Sequence, residues 1–463
     1  MYLIRSRSFL STILGCCLVF LLAACGSGGS TSSTPTPTGG STPTQAKTPT
    51  PTIVPTTAPV PPTQTSCPPA GTARAWVTAN LVLGKNQNIV YVVNEFPTNS
   101  VIGTLKRYDL TTDKKTEIIK MPNASISEAA LSSDGQWILF VSAMGHQNEL
   151  QMVGMDGQGL QTLYCAANGS IQNVLWSANQ QSVLFSASAA PDGFAGIYLL
   201  NLANGTLQLE LKPNRSNIGS SFGMPITWLD NTRAHISFAN FPIAPLDRLG
   251  ILDTGRGPGQ SISDLTTVYQ DKLSPSSNYP CWDADSSYDG STLFISQCTG
   301  LSAPNSSGSC CLGTREGPST INTEPAAGGT QQTILTSQTL GIAVVRSISP
   351  QTLLLDIENF SMNHPINTSQ NGLWKVSSNG SGLTRLTTEG KGQSTTLNQY
   401  TQLPWSNVSR DGSMYAFETS NSGSVTYPYT FTLLFGSLSG GAPTTFASIA
   451  DGTQLSIVGW TTM

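Results

Sequence analysis

The chain has 463 residues, a formal net charge of −4 and 10% charged residues, whereas charged residues make up about a quarter of typical soluble domains. Without an excess of lysine and arginine, the sequence lacks the electrostatic footprint of a nucleic-acid-binding protein. A weakly charged surface also produces weak long-range fields, so little electrostatic steering of partners is expected.

Residues 1–24 have the features of a bacterial export signal. Arg5 and Arg7 form a positive N-terminal region, and an uncharged, largely apolar run follows from residue 9 to residue 24. The run is shorter than the ~20 residues that a membrane-spanning helix needs. It ends in Leu22-Ala23-Ala24-Cys25.

This tetrapeptide resembles the lipobox of bacterial lipoproteins. The resemblance implies cleavage before Cys25, attachment of diacylglycerol to that cysteine, and a location on the extracytoplasmic face of the cell membrane. The lipid anchor would be the only contact with the membrane. An ordinary signal peptide and a transmembrane helix are the alternatives.

A disordered linker is predicted from residue 25 to residue 66, where Thr, Pro, Ser and Gly dominate. Such a segment has almost no apolar side chain to bury, so it cannot offset its ordering entropy. Proline-rich linkers favour extended polyproline II, and roughly forty such residues reach on the order of 100 Å. The linker would therefore hold a folded domain, residues 67–463, away from the membrane.

Six cysteines remain in the predicted domain: Cys67, Cys165, Cys281, Cys298, Cys310 and Cys311. Exported proteins commonly carry disulfides. Cys281 and Cys298 lie symmetrically about Asp289-Gly290, a pair typical of hairpin turns, so we predict a cross-strand disulfide between them. The adjacent Cys310 and Cys311 would pair with each other or elsewhere, and free thiols are the alternative.

Short runs of β-branched and aromatic residues, bounded by Gly, Asn, Asp and Ser, predict an all-β domain. A strand–turn–strand unit recurs at 128–140, 173–185, 226–236 and 407–417. A second unit tends to follow it, and its copies begin at intervals of 45, 47 and 52 residues, at Leu105, Leu150, Ile197 and Leu249. Two hairpins in about 40 to 50 residues are typical of four-stranded propeller blades.

Two of these copies resemble TolB-type (WD-repeat-like) propeller repeats. They are Ser-Ser-Asp-Gly-Gln-Trp-Ile-Leu-Phe at 132–140 and Leu-Trp-Lys-Val-Ser-Ser-Asn-Gly at 373–380. In that family a Trp-Ser-Pro-Asp-Gly turn joins the inner two strands of a blade, but no Ser-x-Asp-Gly turn here contains Pro. The resemblance covers residues 85–450 and implies a β-propeller, although a fold does not by itself imply a function.

Seven four-stranded blades are predicted, with six or eight as the alternatives. Their outer hairpins are expected near 105–119, 150–164, 197–210, 249–269, 320–335, 373–387 and 430–447. Residues 455–460 are predicted to supply the inner strand of the first blade, whose other strands begin near Ile89, and residues 80–83 are the competing segment. Pairing the two ends of the chain would close the ring and remove exposed sheet edges.

No motif predicts a catalytic residue or a cofactor. The single GxSxG pattern, at 219–223, is followed by Pro225 and a predicted strand, whereas a nucleophile elbow needs a helix there. The three histidines are not at metal-ligand spacing; they are His146, His235 and His364.

Three acids in seven residues form the best candidate for a metal site: Asp283, Asp285 and Asp289. Calcium prefers hard oxygen ligands, but its helical loop needs Gly and Glu where this chain has Tyr288 and Phe294. Asp also favours tight turns through bonds to its own backbone. A plain turn is the competing interpretation, and no metal is predicted.

Five tryptophans end predicted inner strands: Trp176, Trp228, Trp282, Trp405 and Trp460. Aromatic rings that line a propeller channel would stack on sugars or peptides. Large rings also fill the space between blades, and propeller repeats carry periodic aromatics as part of the fold. Both interpretations stay open, and blade packing is the preferred one.

The preferred functional hypothesis is a monomeric binding module that engages an envelope protein, an extracellular protein or a glycan. Binding residues concentrate on loops over a rigid scaffold, and the long segments 186–196, 296–319 and 358–372 are the predicted contacts. An enzyme acting on polysaccharide or peptide would need paired carboxylates, for which the inner strands offer only Glu128, Asp283 and Asp230. A purely structural surface protein is the third hypothesis.

Overall fold

The computed structural model describes residues 63, 65–69, 75, 81 and 83–463, apart from 99, 178, 189–194, 213–222, 239–246, 272–278, 303–311, 391–392, 399–403, 422–429 and 450–452. Within these residues the chain forms β-strands and three short 3₁₀ turns, without any α-helix. No helix in this part has the length and hydropathy that crossing a membrane requires. The predicted signal peptide, Cys25 with its lipobox, and nearly all of the predicted linker lie outside the described residues.

The strands are numbered in chain order. They are β1 Gln87–Glu95, β2 Ile102–Asp109, β3 Lys115–Pro122, β4 Ser125–Leu131, β5 Trp137–Met144, β6 Gln147–Gly154, β7 Gln161–Ala167, β8 Ile171–Trp176, β9 Ser182–Ser188, β10 Ala195–Asn201, β11 Leu207–Leu211, β12 Met224–Trp228, β13 Arg233–Phe238, β14 Arg248–Asp253, β15 Thr266–Gln270, β16 Trp282–Ser286, β17 Thr292–Ser302, β18 Leu312–Pro325, β19 Gln332–Ser337, β20 Ile342–Ser349, β21 Thr352–Ile357, β22 Phe360–Ser361, β23 Gly372–Ser377, β24 Thr384–Arg385, β25 Ser394–Thr396, β26 Met414–Ser420, β27 Phe431–Ser437, β28 Thr444–Ile449 and β29 Gln454–Thr462. The 3₁₀ turns are Thr254–Arg256, Ile262–Asp264 and Pro404–Ser406.

Seven antiparallel sheets form the blades of a propeller, which confirms the predicted all-β fold and blade count. From the inner strand outward, blade 1 is β29-β1-β2-β3, blade 2 is β4 to β7, blade 3 is β8 to β11, blade 4 is β12 to β15, blade 5 is β16 to β19, blade 6 is β20-β21-β23-β24 and blade 7 is β25 to β28. The predicted outer hairpins coincide with the third and fourth strands of these blades.

The two ends of the propeller domain pair within blade 1. The last strand, β29, is antiparallel to β1, with Ile89 opposite Trp460 and Val93 opposite Leu455. The C-terminal segment is therefore the inner strand, as predicted. Of the competing segment 80–83, the two described residues, Leu81 and Leu83, are not in a strand.

Arg410 reinforces this closure on the side where the chain ends meet. Its Nε donates to the Trp460 carbonyl (2.9 Å) and its Nη1 to the Ser133 carbonyl (2.8 Å). Its guanidinium also lies 4.3 Å from the ring centroid of Trp405. One side chain of blade 7 thus connects the last strand to a turn of blade 2.

The turns between first and second strands share one hydrogen-bond scheme. In four of them a Ser hydroxyl donates to an Asp or Asn two residues later and accepts the first amide of the next strand, at 2.6–2.9 Å. The four serines are Ser132, Ser177, Ser287 and Ser409. Asx and Ser turns of this kind need no proline, which explains why the Ser-x-Asp-Gly sequences fold without one.

Hydrophobic clusters fill the seams between adjacent blades. In β1, Ile89, Tyr91 and Val93 pack with residues of blade 7, whereas Val90 and Val92 pack with blade 2. Alternate side chains point to opposite faces of a strand, so each blade presents one apolar face to each neighbour.

The five tryptophans belong to these seams. Trp176, Trp282 and Trp460 are buried members of clusters, and Trp228 and Trp405 pack against clusters. The expectation that each ends an inner strand is wrong for two of them. Trp282 begins β16, and Trp405 lies in the 3₁₀ turn Pro404–Ser406, because packing rather than strand register places these large rings.

Two disulfides are present among the described cysteines. Cys281 pairs with Cys298 across β16 and β17, with their Cα atoms 5.1 Å apart. Cys67 pairs with Cys165 in the outer strand of blade 2, and Ala75 donates its amide to the Leu202 carbonyl (2.9 Å). The start of the domain is therefore attached to the rim of the propeller. Cys310 and Cys311 lie outside the described residues.

Candidate functional site

The three predicted contact segments emerge on one face of the propeller. Each connects the second and third strands of its blade: blade 3 for 186–196, blade 5 for 296–319 and blade 6 for 358–372. Because hairpin connections alternate between the two ends of a meander, these loops share a face with the blade-to-blade connections. We call this the insertion face, and the opposite one, with the Ser-x-Asp-Gly turns, the turn face. Residues 189–194 and 303–311 lie outside the described part.

The insertions of blades 5 and 6 are joined into one substructure. Strands β17 and β18 extend beyond the blade, and β22 adds to this extension, with Thr314 opposite Ser361 and Arg315 opposite Phe360. We call the extension together with residues 358–371 the arm. Sequence patterns predicted the two loops separately, but they gave no signal that the loops would pair.

Polar contacts hold the arm together. Asn363 Nδ2 donates to Thr314 Oγ1 (3.0 Å), and the Arg315 guanidinium pairs with the Glu358 carboxylate. Asn359 connects the base of the arm to the segment between blades 5 and 6 by accepting the Gly341 amide (2.5 Å). With this many contacts the described part of the arm is a formed surface rather than a loose loop.

Three residues of the arm resemble a catalytic triad in composition. His364 lies between Ser361, at 3.3 Å from Nδ1, and Glu316, at 3.1 Å from Nε2. The Ser361 hydroxyl, however, accepts the amides of Asn363 and His364, both at 3.0 Å. The hydroxyl oxygen of Ser361 is therefore used in hydrogen bonds that form a turn. This geometry favours a role of the three residues in stabilising the arm over nucleophilic catalysis.

Buried acids connect the inner strands of blades 5 and 6. Asp283 Oδ2 accepts from Arg346 Nη1 (3.0 Å), and Asp285 Oδ2 accepts the Ser347 amide (2.7 Å). Burial raises the pKa of Asp283 to about 6 and the pKa of Asp285 to about 7, against the opposing charge of Arg346. Sequence reasoning singled out both residues as metal candidates but not as links between blades.

The same scheme occurs at two other seams. Glu128 of β4 accepts the Val174 amide of blade 3 (3.2 Å), and Glu418 of β26 accepts the Ile457 amide of blade 1 (2.6 Å). Burial raises the pKa of Glu128 to about 7 and the pKa of Glu418 to about 8. These carboxyls act as hydrogen-bond acceptors for a neighbouring blade.

Asp356, like Glu418, is an acid that sequence reasoning missed. It is buried in β21, and no described residue bonds its Oδ1. Burial raises its pKa well above the ordinary value, and the nearby charges of Glu389 and Glu358 add to the effect. The sequence Leu-Leu-Leu-Asp-Ile around Asp356 does not indicate that Glu358 and Glu389 lie close to this carboxyl in the fold.

The paired carboxylates of a polysaccharide-cleaving enzyme are not assembled from the residues predicted for it. Asp230 was expected on an inner strand, but it lies in the turn after β12 and pairs with Arg233 (2.7 Å), because it caps that turn. Glu128 and Asp283 serve different seams.

The three acids of the calcium candidate also do not come together. Asp283 and Asp285 face β20, whereas Asp289 accepts the Ser291 amide in its own turn (3.0 Å). In the described part, the one set of three metal-ligand types within 4.8 Å is Cys67, Glu149 and Cys165. Both of its sulfurs are joined in a disulfide.

No protein-family model and no curated protein matches the chain. Among solved structures, TolB from Acinetobacter baumannii is 14% identical over 64% of this chain and 62% of its own, with a TM-score of 0.39. The β-propeller domain of the trilobed protease from Pyrococcus furiosus is 11% identical, over 80% of this chain and 94% of its own, with a TM-score of 0.48. The periplasmic gluconolactonase of Pseudomonas aeruginosa is 12% identical, over 80% and 99%, with a TM-score of 0.48. Such distant likenesses carry no argument about function, and the fold rests on the sheet order described above.

Proposed function

We propose that the chain is a membrane-tethered, extracytoplasmic binding protein that presents its insertion face to an envelope or extracellular protein. Cys25 would carry the lipid, and the linker 25–66 would set the distance from the membrane. The disulfide between Cys67 and Cys165 supports this arrangement, because it attaches the end of the linker to the rim of blade 2.

The distribution of exposed apolar side chains is the observation that carries the proposal. Four large hydrophobic residues of the described part are exposed, and three lie on the insertion face: Phe96 (52%), Met144 (43%) and Met362 (71%). The fourth, Tyr288 (51%), lies in a turn on the opposite face. Aromatic residues and Met are enriched in protein interfaces, so the asymmetry favours a protein partner at the insertion face.

A photo-crosslinking experiment in intact bacteria tests the proposal. A photoreactive phenylalanine analogue replaces Met362 or Phe96, and a matched probe replaces Tyr288 on the turn face. We expect one dominant crosslinked protein from the first two positions and not from the third, identified by mass spectrometry. Equal crosslinking from both faces, or the same mixture of abundant neighbours at every position, would contradict a specific partner at the insertion face.

The anchor is tested separately by Cys25→Ala. The proposal expects the wild-type chain in the membrane fraction and the variant released or retained as an uncleaved precursor, visible as a change in mobility. An unchanged membrane association without any acyl modification of Cys25 would contradict lipid anchoring.

A further inference from the structure

A groove opens on the turn face at the seam between blades 6 and 7. Its volume is about 390 Å³, and it is lined by side chains and backbone of both blades. The residues that matter here are Ser349, Thr352, Lys375, Ser377, Thr384 and Gly412. Ligand pockets usually measure about 300 to 1,000 Å³, so this groove has room for a monosaccharide or a dipeptide.

Lys375 occupies a position that four of the other six blades fill with apolar side chains, whereas blade 1 has Arg107 and blade 5 has Thr323 there. Lys375 pairs with Leu354 of the second strand, and the equivalent pairs place Met152 opposite Leu139 and Leu199 opposite Leu184. Ile251 and Phe435 stand at the same position in blades 4 and 7. The seam between blades 6 and 7 therefore holds an ammonium group and open space where most seams hold packed hydrocarbon.

The ammonium group of Lys375 has more N–H donors than hydrogen bonds to described residues. Its Nζ donates to the Leu438 carbonyl (2.6 Å), whereas an ammonium has three donors. Lys375 has no salt bridge to any residue that the structure describes. By contrast, Arg107, the cation at this position in blade 1, has the carboxylates of Asp109 and Asp156 nearby.

The lining of the groove is otherwise rich in hydroxyl groups, and none of its described residues carries a carboxylate. The nearest acid along the chain, Asp411, accepts from Ser409 (2.5 Å) and from the Ser413 hydroxyl (2.8 Å) and amide (3.1 Å) within its own turn. A Cβ placed on Gly412 would meet nothing within 4 Å, so the groove is open above this glycine. One cation among hydroxyls matches a small anion that also carries polar groups.

We propose that this groove binds a small carboxylate bearing hydroxyl or amide groups. The carboxylate contacts Lys375, and the hydroxyls of Thr352, Ser377 and Thr384 contact the rest of the molecule. A uronic acid and the C-terminal residue of a peptide share this chemistry. The site is on the face opposite to the proposed protein interface and does not depend on it.

Isothermal titration calorimetry on the full chain tests the site with two matched pairs of probes. Glucuronate is compared with glucose, and N-acetyl-dialanine with its C-terminal amide. We expect the acids to bind and their neutral partners not to bind. Binding of glucuronate alone identifies a sugar acid, and binding of the dipeptide alone identifies a peptide terminus. Failure of both acids to bind, or equal binding of acid and neutral probes, would overturn the proposal.

Lys375→Met is the decisive variant, because Met152 shows that Met fits the equivalent position. Loss of one charge-assisted hydrogen bond should weaken binding about tenfold or more, and the exposed Lys115→Gln should leave it unchanged. Thr384→Trp, which keeps Lys375 but fills the groove, should also abolish binding. Unchanged affinity in both groove variants would refute the site, whatever the stability of either one.

Discussion

Replacing Glu418 by Gln should remove the loss of folding stability that ionisation of Glu418 causes at high pH, at the seam where the ring closes. Glu418 accepts the Ile457 amide of the last strand at 2.6 Å, and burial raises its pKa to about 8. A carboxyl whose pKa is raised on folding stabilises the fold fully below its unfolded pKa. That contribution is lost as the pH rises from about 4.5 to about 8. Gln keeps the acceptor oxygen and cannot ionise.

The size of the effect follows from the change in pKa. Each unit corresponds to about 1.4 kcal/mol, which gives nearly 5 kcal/mol for Glu418 as an upper limit. Because the side chain is only partly buried, solvent screening reduces this to about 2 kcal/mol. For a domain of this size, 2 kcal/mol corresponds to roughly 2–3 °C in Tm.

Thermal unfolding at pH 5 and pH 9 provides the assay. We expect Glu418→Gln to match the wild type at pH 5 and to unfold about 2–3 °C higher at pH 9. The exposed Glu117→Gln on β3 is the matched control and should change neither value. An equal difference in Tm between Glu418→Gln and the wild type at pH 5 and at pH 9 would show that ionisation of Glu418 does not weaken the fold between these pH values, and it would refute the reasoning.

Three further predictions concern the closure and the disulfide. Arg410→Met should destabilise the domain by about 2–4 kcal/mol in urea unfolding, because the carbonyls it bonds lose a partly buried charged donor; Arg233→Met, at the start of β13 with 42% of its side chain exposed, is the control and should cost far less. Deleting residues 454–463 should leave β1 without its inner neighbour β29 and give a chain without a cooperative thermal transition; a normal transition would show that ring closure is dispensable. Replacing Cys67 and Cys165 together by Ser should lower stability by about 2–4 kcal/mol, and a reducing agent should then have less effect on this variant than on the wild type.

Several features of the fold could be predicted because they depend on contacts between near neighbours in the chain. Turn residues such as Asp134 and Gly135 define a hairpin by their own backbone preferences. Short runs of β-branched and aromatic residues define where the strands lie. The period of the repeats then favours seven blades over six or eight, and counting strands favours the segment that ends in Trp460 over residues 80–83 as the inner strand of the first blade.

Other features depend on residues that are distant in sequence, and only the tertiary structure decided them. Cys67 and Cys165 are 98 residues apart, and their spacing carries no signal of pairing. Asp283, Asp285 and Glu418 carry no sequence signal of a role between blades, because the adjacent blade brings a backbone amide to each carboxyl only in the folded structure. The tryptophans were noticed, but their place in the seams required the neighbouring blade.

The sequence by itself determined the class of fold and favoured seven blades and a C-terminal closing strand over their alternatives, because these features follow from local turns and a regular period. The tertiary structure alone decided which acids are buried, how the insertions of blades 5 and 6 join, and why Lys375 faces an open groove. Burial and charge pairing are properties of the space between blades. The side chains that form this space are far apart in sequence and at irregular intervals. Local sequence patterns therefore do not predict which groups are buried or paired there.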